Sequence, residues 1–135
     1  MRAYLFILAG FPLVAQTETN IACMERLEIP TYPALAEQAR ITGTVIATVA
    51  LGPGATVTSI SSASDHGKAH PILVGSVEKS LRASKFATAC AGKQVGLIFN
   101  FVIEGTPVGS HPPQTVSFAY PNQFRIVTPP LLLNP

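Results

Sequence analysis

Asp65, His66 and His70 stand close together and are the residues of this chain best suited to hold a metal ion. A tetrahedral zinc site takes four ligands, usually cysteine and histidine. This trio offers two imidazoles and one carboxylate in a loop broken by Gly67 and Pro71, so it reads as a solvated turn and no metal is expected. His111 stands alone in a proline-rich stretch. Ser76, in Gly75-Ser76-Val77, lacks the flanking pattern of a nucleophile elbow. Gly92-Lys93 runs into Gln94 and has no preceding glycine at phosphate-loop spacing. The seven carboxylates are scattered rather than paired for hydrolysis. The expectation is a protein that is not an enzyme and carries no cofactor.

Cys23 and Cys90 are the only two cysteines, and their spacing is not that of a CxxC redox motif. Their state depends on the compartment. Residues 1–15 carry one charge, Arg2, followed by an uncharged stretch with Leu5, Phe6, Ile7, Leu8, Leu13 and Val14. That is the grammar of a signal peptide, with cleavage expected after Ala15; the alternative is a buried N-terminal strand or helix. Loss of Arg2 with the signal lowers the formal net charge from +2 by one, to +1. In an oxidising compartment two lone thiols pair, so a Cys23–Cys90 disulfide is expected, against the alternative of two separate buried thiols. The location this implies is periplasmic or secreted.

With 135 residues, 47% hydrophobic, the chain can bury one core but hardly two. Only 12% of residues are charged, which leaves no basic stripe for nucleic acid. The mean hydropathy is positive, yet no apolar run approaches the ~20 residues of a membrane-spanning helix. No transmembrane span is expected in the mature form.

Residues 29–33 (IPTYP) are extended, because each proline steers its predecessor away from helix. Pro33 then suits the first turn of a short helix over residues 33–40, stopped by Gly43. Residues 43–51 (GTVIATVAL) alternate with Val45, Ala47, Val49 and Leu51 on one face, and after the Gly52-Pro53-Gly54 turn residues 55–62 return as a second strand. Pro71 opens a helix whose Leu73, Val77 and Leu81 recur every fourth residue, with Phe86 folding back on the core. The alternation of Val95, Leu97, Phe99, Phe101 and Ile103 marks the clearest strand. Seven of the twelve prolines lie from Pro107 onward, where residues 115–120 and 124–127 read as short edge strands of an appended tail. The fold class is α+β: a small antiparallel sheet of about three strands plus C-terminal edge additions, with two helices on one face. The organisation is residues 1–15 signal peptide, 16–27 extension, 28–105 domain and 106–135 proline-rich tail.

This order resembles the C-terminal domain of TonB-family proteins over about residues 28–104. The matching residues are Tyr32-Pro33-Ala34-Leu35-Ala36, the stretch Ala39 to Val45 with Gly43, Gly54 with Val57, the His70-Pro71-Ile72-Leu73 helix start, Phe86, and the strand from Val95 to Phe101. Tyr32 would lay its ring on the sheet, while Gly43 and Gly54 would take φ > 0 conformations at the helix exit and the hairpin. The resemblance implies a periplasmic module that binds an outer-membrane receptor or other envelope protein, in TonB-dependent transport, by adding a peptide to its sheet edge. That edge corresponds to residues 94–104, with Gln94, Gly96 and Asn100 as candidates for setting register; pairing by residues 115–120 would cover it. Residues 17–28 reach only about 40 Å when extended, so a stand-alone relative of the domain is expected. The alternative is an envelope scaffold that self-associates, with a homodimer as partner.

Overall fold

The computed structural model describes residues 17–18, 21–65, 67–110 and 113–132. Its elements in chain order are β1 (Thr17–Glu18), β2 (Met24–Arg26), α1 (Ala34–Ala39), β3 (Gly43–Leu51), β4 (Val57–Ala63), α2 (Pro71–Ala83), β5 (Lys85–Phe86), β6 (Gln94–Ile103), β7 (Thr115–Ala119) and β8 (Gln123–Thr128). Short 3-10 turns at Ile21–Cys23, Pro53–Ala55 and Thr88–Cys90 join several of them. The main sheet runs β4-β3-β6-β8-β7, with β1 beside β6, and β2 pairs with β5 in a separate two-stranded sheet.

β3 and β6 form the antiparallel centre, with Val45 facing Phe99 and Val49 facing Val95. Their inward sets, Val45, Ala47, Val49 and Leu51 against Val95, Leu97, Phe99 and Phe101, are buried as the alternation requires. Leu73, Val77 and Leu81 of α2 cover this face and are fully buried, while Arg82 in the last turn is exposed. Phe86 is buried just after the helix, as its position in the sequence suggests. The fold is thus the expected α+β class, but the sheet is mixed rather than antiparallel, because β8 and β1 both run parallel to β6.

The tail supplies the two expected strands, and β8 does more than lengthen an edge. Phe124 and Ile126 enter the single core, the first with its ring stacked on Phe99 at 5.4 Å between centroids. β7 folds back antiparallel on β8 through a turn containing a cis Tyr120–Pro121 bond. Covering of β6 by the tail therefore comes from Gln123–Thr128, not from residues 115–120.

A disulfide joins Cys23 to Cys90, with Cα atoms 5.8 Å apart. It ties the segment before β2 to the loop that feeds β6, where the Ala87 N–H also donates to the Cys23 carbonyl at 2.8 Å.

Candidate functional site

The geometry of the site follows from what occupies the outer side of β6. At its start Gln94 and Val95 pair with Thr17 and Glu18 of β1. The Asn122 side chain donates from Nδ2 to the Gly96 carbonyl at 3.1 Å, and the Asn122 carbonyl accepts the Ile98 N–H at 2.9 Å. From Ile98 to Ile103 each residue then has a partner in β8, and the Glu104 N–H closes the run on the Thr128 carbonyl at 3.1 Å. Gln94, Gly96 and Asn100 thus lie on an interior strand, and the edge expected at residues 94–104 is a correction the topology makes. Asn100 is further engaged by the Thr44 hydroxyl, which donates to its Oδ1 at 2.7 Å.

Three tail side chains make polar contacts outside the ladder that fix the tail. Thr128, fully buried, donates to a Glu37 carboxylate oxygen on α1 at 2.7 Å. Gln114, just before β7, accepts from the Tyr32 N–H at 2.8 Å and donates to the Pro30 carbonyl at 3.0 Å, so it mimics a strand partner for that extended segment. Arg125 pairs with Glu104 at 2.7 Å, and this hydrogen bond holds the Glu104 carboxyl below its ordinary pKa. Sequence reasoning did not single out Gln114, Glu37 or Thr128, whose partners lie 82 and 91 positions away in the chain.

The outward edge passes to β7, which pairs with β8 alone and has no strand on its other side among the described residues. Val116 and Phe118 sit opposite Ile126 and Phe124, on the helix side of the sheet, but beyond the cover of the helices. They are 37% and 45% exposed, and Tyr120 just past the strand is 76% exposed. β4, the other terminal strand, has none of the large exposed apolar side chains, and its register with β3 shifts between Ala50 and Leu51. The sequence signal for β7 was its Val-x-Phe-x-Tyr alternation; what it lacked was any sign of which neighbour β7 takes.

The motif residues fill structural roles. Tyr32 is buried with its ring edge-on to Phe101, 5.4 Å between centroids, and its hydroxyl donates to the Ile41 carbonyl at 2.5 Å. Pro33 caps α1 in an extended conformation, and its carbonyl accepts the Glu37 N–H. Val45 is core. Gly54 takes the left-handed conformation expected in the hairpin, at φ 70°. Gly43 has the positive φ expected of it, at 155°, but the left-handed residue that ends the helix is Arg40 at φ 56°, whose N–H closes the last turn on Ala36 and Glu37 carbonyls. Of the candidate metal cluster, His70 caps α2 by accepting the Ile72 N–H on Nδ1, at 3.2 Å, Asp65 accepts from the Ser64 hydroxyl at 2.9 Å, and His66 lies outside the described residues, as does the separate His111. A groove of about 580 Å³ runs between residues 28–33 and α2, with Pro30, Ile72, Gly75 and Lys79 among its lining.

Burial and then the nearby Glu37 charge push Tyr32 up to about 12. A raised acid pKa means the folded state keeps the proton longer than the unfolded chain, whose tyrosine titrates near ~10. This share of stability is complete below about pH 10 and is lost as pH climbs through about 12. Urea midpoints measured from pH 9 upward should fall across that window, and Tyr32→Phe should flatten the fall; equal slopes in both proteins would remove Tyr32 as its source.

The domain defined by this geometry is a helix-backed mixed sheet whose last matched strand is closed by a tail hairpin. The model of a family described as the C-terminal domain of the Gram-negative bacterial TonB protein matches residues 28–103, more than half of the chain. The chain belongs to that family. No curated protein and no solved structure matches it. The match ends at the end of β6, so β7 and β8, which complete the sheet, lie outside it.

Proposed function

We propose that the protein is an exported TonB-type binding module linked to outer-membrane transport, which recognises an extended segment of an outer-membrane receptor or another envelope protein by strand addition. Family membership over residues 28–103 supports the class of task, and the Cys23–Cys90 disulfide fits a periplasmic location. Among the described residues no helix is long and apolar enough to cross a membrane.

The observation that carries the placement of the site is the occupancy of the sheet. Adding a strand requires a row of unpaired backbone groups, with side-chain sites at alternate positions to give specificity. β6 has partners on both sides, whereas β7 has one and exposes Val116 and Phe118 at alternate positions. The accepting strand in this reading is β7. A synthetic peptide from the periplasmic end of a receptor should shift the amides of Thr115–Ala119 in a solution titration, leaving those of Gln123–Thr128 in place. Shifts at Gln94–Ile103 together with release of β8 would return the site to β6, and no shift anywhere would end the reading.

A further inference from the structure

Gly75 stands well inside α2, where a glycine is less favourable than an alanine because it loses more backbone freedom on folding. Nothing in the chain asks for it. Its φ is not positive, and a Cβ built on it would meet no atom within 4 Å. The position is exposed and lies in the groove of about 580 Å³ between α2 and residues 28–33, a volume in the range of ligand clefts. Leaving out a methyl there serves only something that approaches the helix from outside.

The groove is held open by its own bonds. Ser76 and Ser80 donate their hydroxyls to the carbonyls of Thr31 and Glu28, and Ser84 accepts the Glu28 N–H at 2.9 Å. Three serines spaced by four thus zip the extended segment to the helix, while Gln114 holds its other side at Pro30 and Tyr32. With these hydroxyls spent on the walls, the groove offers apolar surface from Ile29, Pro30, Pro33 and Ile72, and one charge. That charge is Lys79, which is exposed and forms no ion pair among the described residues. The acid of the groove, Glu28, is already taken by Arg26 at 2.6 Å.

We propose that this groove binds a polyproline-II segment of a partner polypeptide, with an aliphatic side chain against Ile72, its backbone against Gly75 and a carboxylate on the Lys79 ammonium. Such a segment needs no pairing partner for its backbone, which suits a groove whose hydroxyls are already bonded. The spacing follows from two helical rises. From Ile72 to Lys79 α2 climbs about 10 Å, and a polyproline-II chain covers that in about three residues while returning every third side chain to the same side. The recognised pattern is therefore an aliphatic and an acidic residue three positions apart, and the charge-assisted bond to Lys79 fixes its register. This inference does not rest on strand addition at β7, since the groove belongs to the helix face.

The probes are the blocked hexapeptide acetyl-PLPPEP-amide and its reverse, acetyl-PEPPLP-amide, titrated into the full chain and followed by amide shifts. At least one of them should shift the amides of Ile72–Lys79 and those of Ile29 and Thr31, leaving Thr115–Ala119 in place. Glutamine for the glutamate of that peptide should weaken binding about tenfold, as should Lys79→Gln, and the two changes together should do no more than either alone. Gly75→Ala should raise Tm by a few degrees and yet weaken binding about tenfold, a combination that a merely structural glycine would not give. Silence of the groove amides toward both peptides up to millimolar concentration overturns the proposal. Shifts confined to Thr115–Ala119 do the same and leave the β7 reading standing. So does a Gly75→Ala protein that gains stability with its affinity unchanged, or binding indifferent to Lys79→Gln, since the peptide then uses another surface.

Discussion

Phe124→Ala is expected to destabilise the protein by about 3–5 kcal/mol, although the residue lies outside the family-matched segment. Phe124 is buried, stacks on Phe99 and lies 4.9 Å from the Phe118 ring, so its loss leaves a void at the junction of β6, β7 and β8. For a domain near this size each kcal/mol is worth several degrees, and a fall in Tm of roughly 10–20 °C should follow. Val116→Ala, one strand further out and half-exposed, should cost no more than about 1 kcal/mol. The contrast separates a hairpin that completes the core from one that only rests on it. A Phe124→Ala protein as stable as the parent would mean that β8 is a loosely held strand, and β6 would then be open to competitors.

The second large effect is expected from the disulfide. Cys23 and Cys90 are 67 positions apart, and closing a loop of that length restricts the unfolded chain by about 4 kcal/mol in the chain-entropy model. The link also fastens the turn before β2 to the turn before β6, where Gly92 N–H and Lys93 carbonyl both bond to Leu51 of β3. Replacing both cysteines with serine should lower the urea midpoint markedly while leaving the fold intact, since the β3–β6 ladder and the α2 contacts do not depend on it. Reduction of the parent should have the same effect. A midpoint unchanged by either treatment would remove the disulfide from the sources of stability.

Much of the centre was legible because its signals are local. The period of two in Val95 to Ile103 and in Val45 to Leu51, and the fourfold spacing of Leu73, Val77 and Leu81, each assign a buried face without knowledge of neighbours. The edge was not legible. Residues 115–120 and 124–127 both alternate, and adjacency in the chain favours pairing the first of them with β6. The stretch between β6 and β7 lets β8 take that place instead, and the core rewards it: Phe124 and Ile126 fill space beside Phe99 and Phe101. Gln94, Gly96 and Asn100 were read as edge residues, but Thr17 of β1 takes the outer side of Gln94, and that of Gly96 and Asn100 is decided some 25 residues later. Arg40 escaped for a different reason. A left-handed helix exit is ordinarily a glycine signal, and here the turn falls three residues before the glycine.

The proposal that β7 is the docking strand rests on β8 being an integral part of the sheet. Native-state hydrogen exchange tests this most directly. Amides of β8 that bond to β6 should exchange only through global unfolding, with the same dependence on denaturant as those of β3, while β7 exchanges through smaller openings. If β8 instead opened locally while β3 stayed protected, the tail would be a displaceable cover, and recognition would belong to β6.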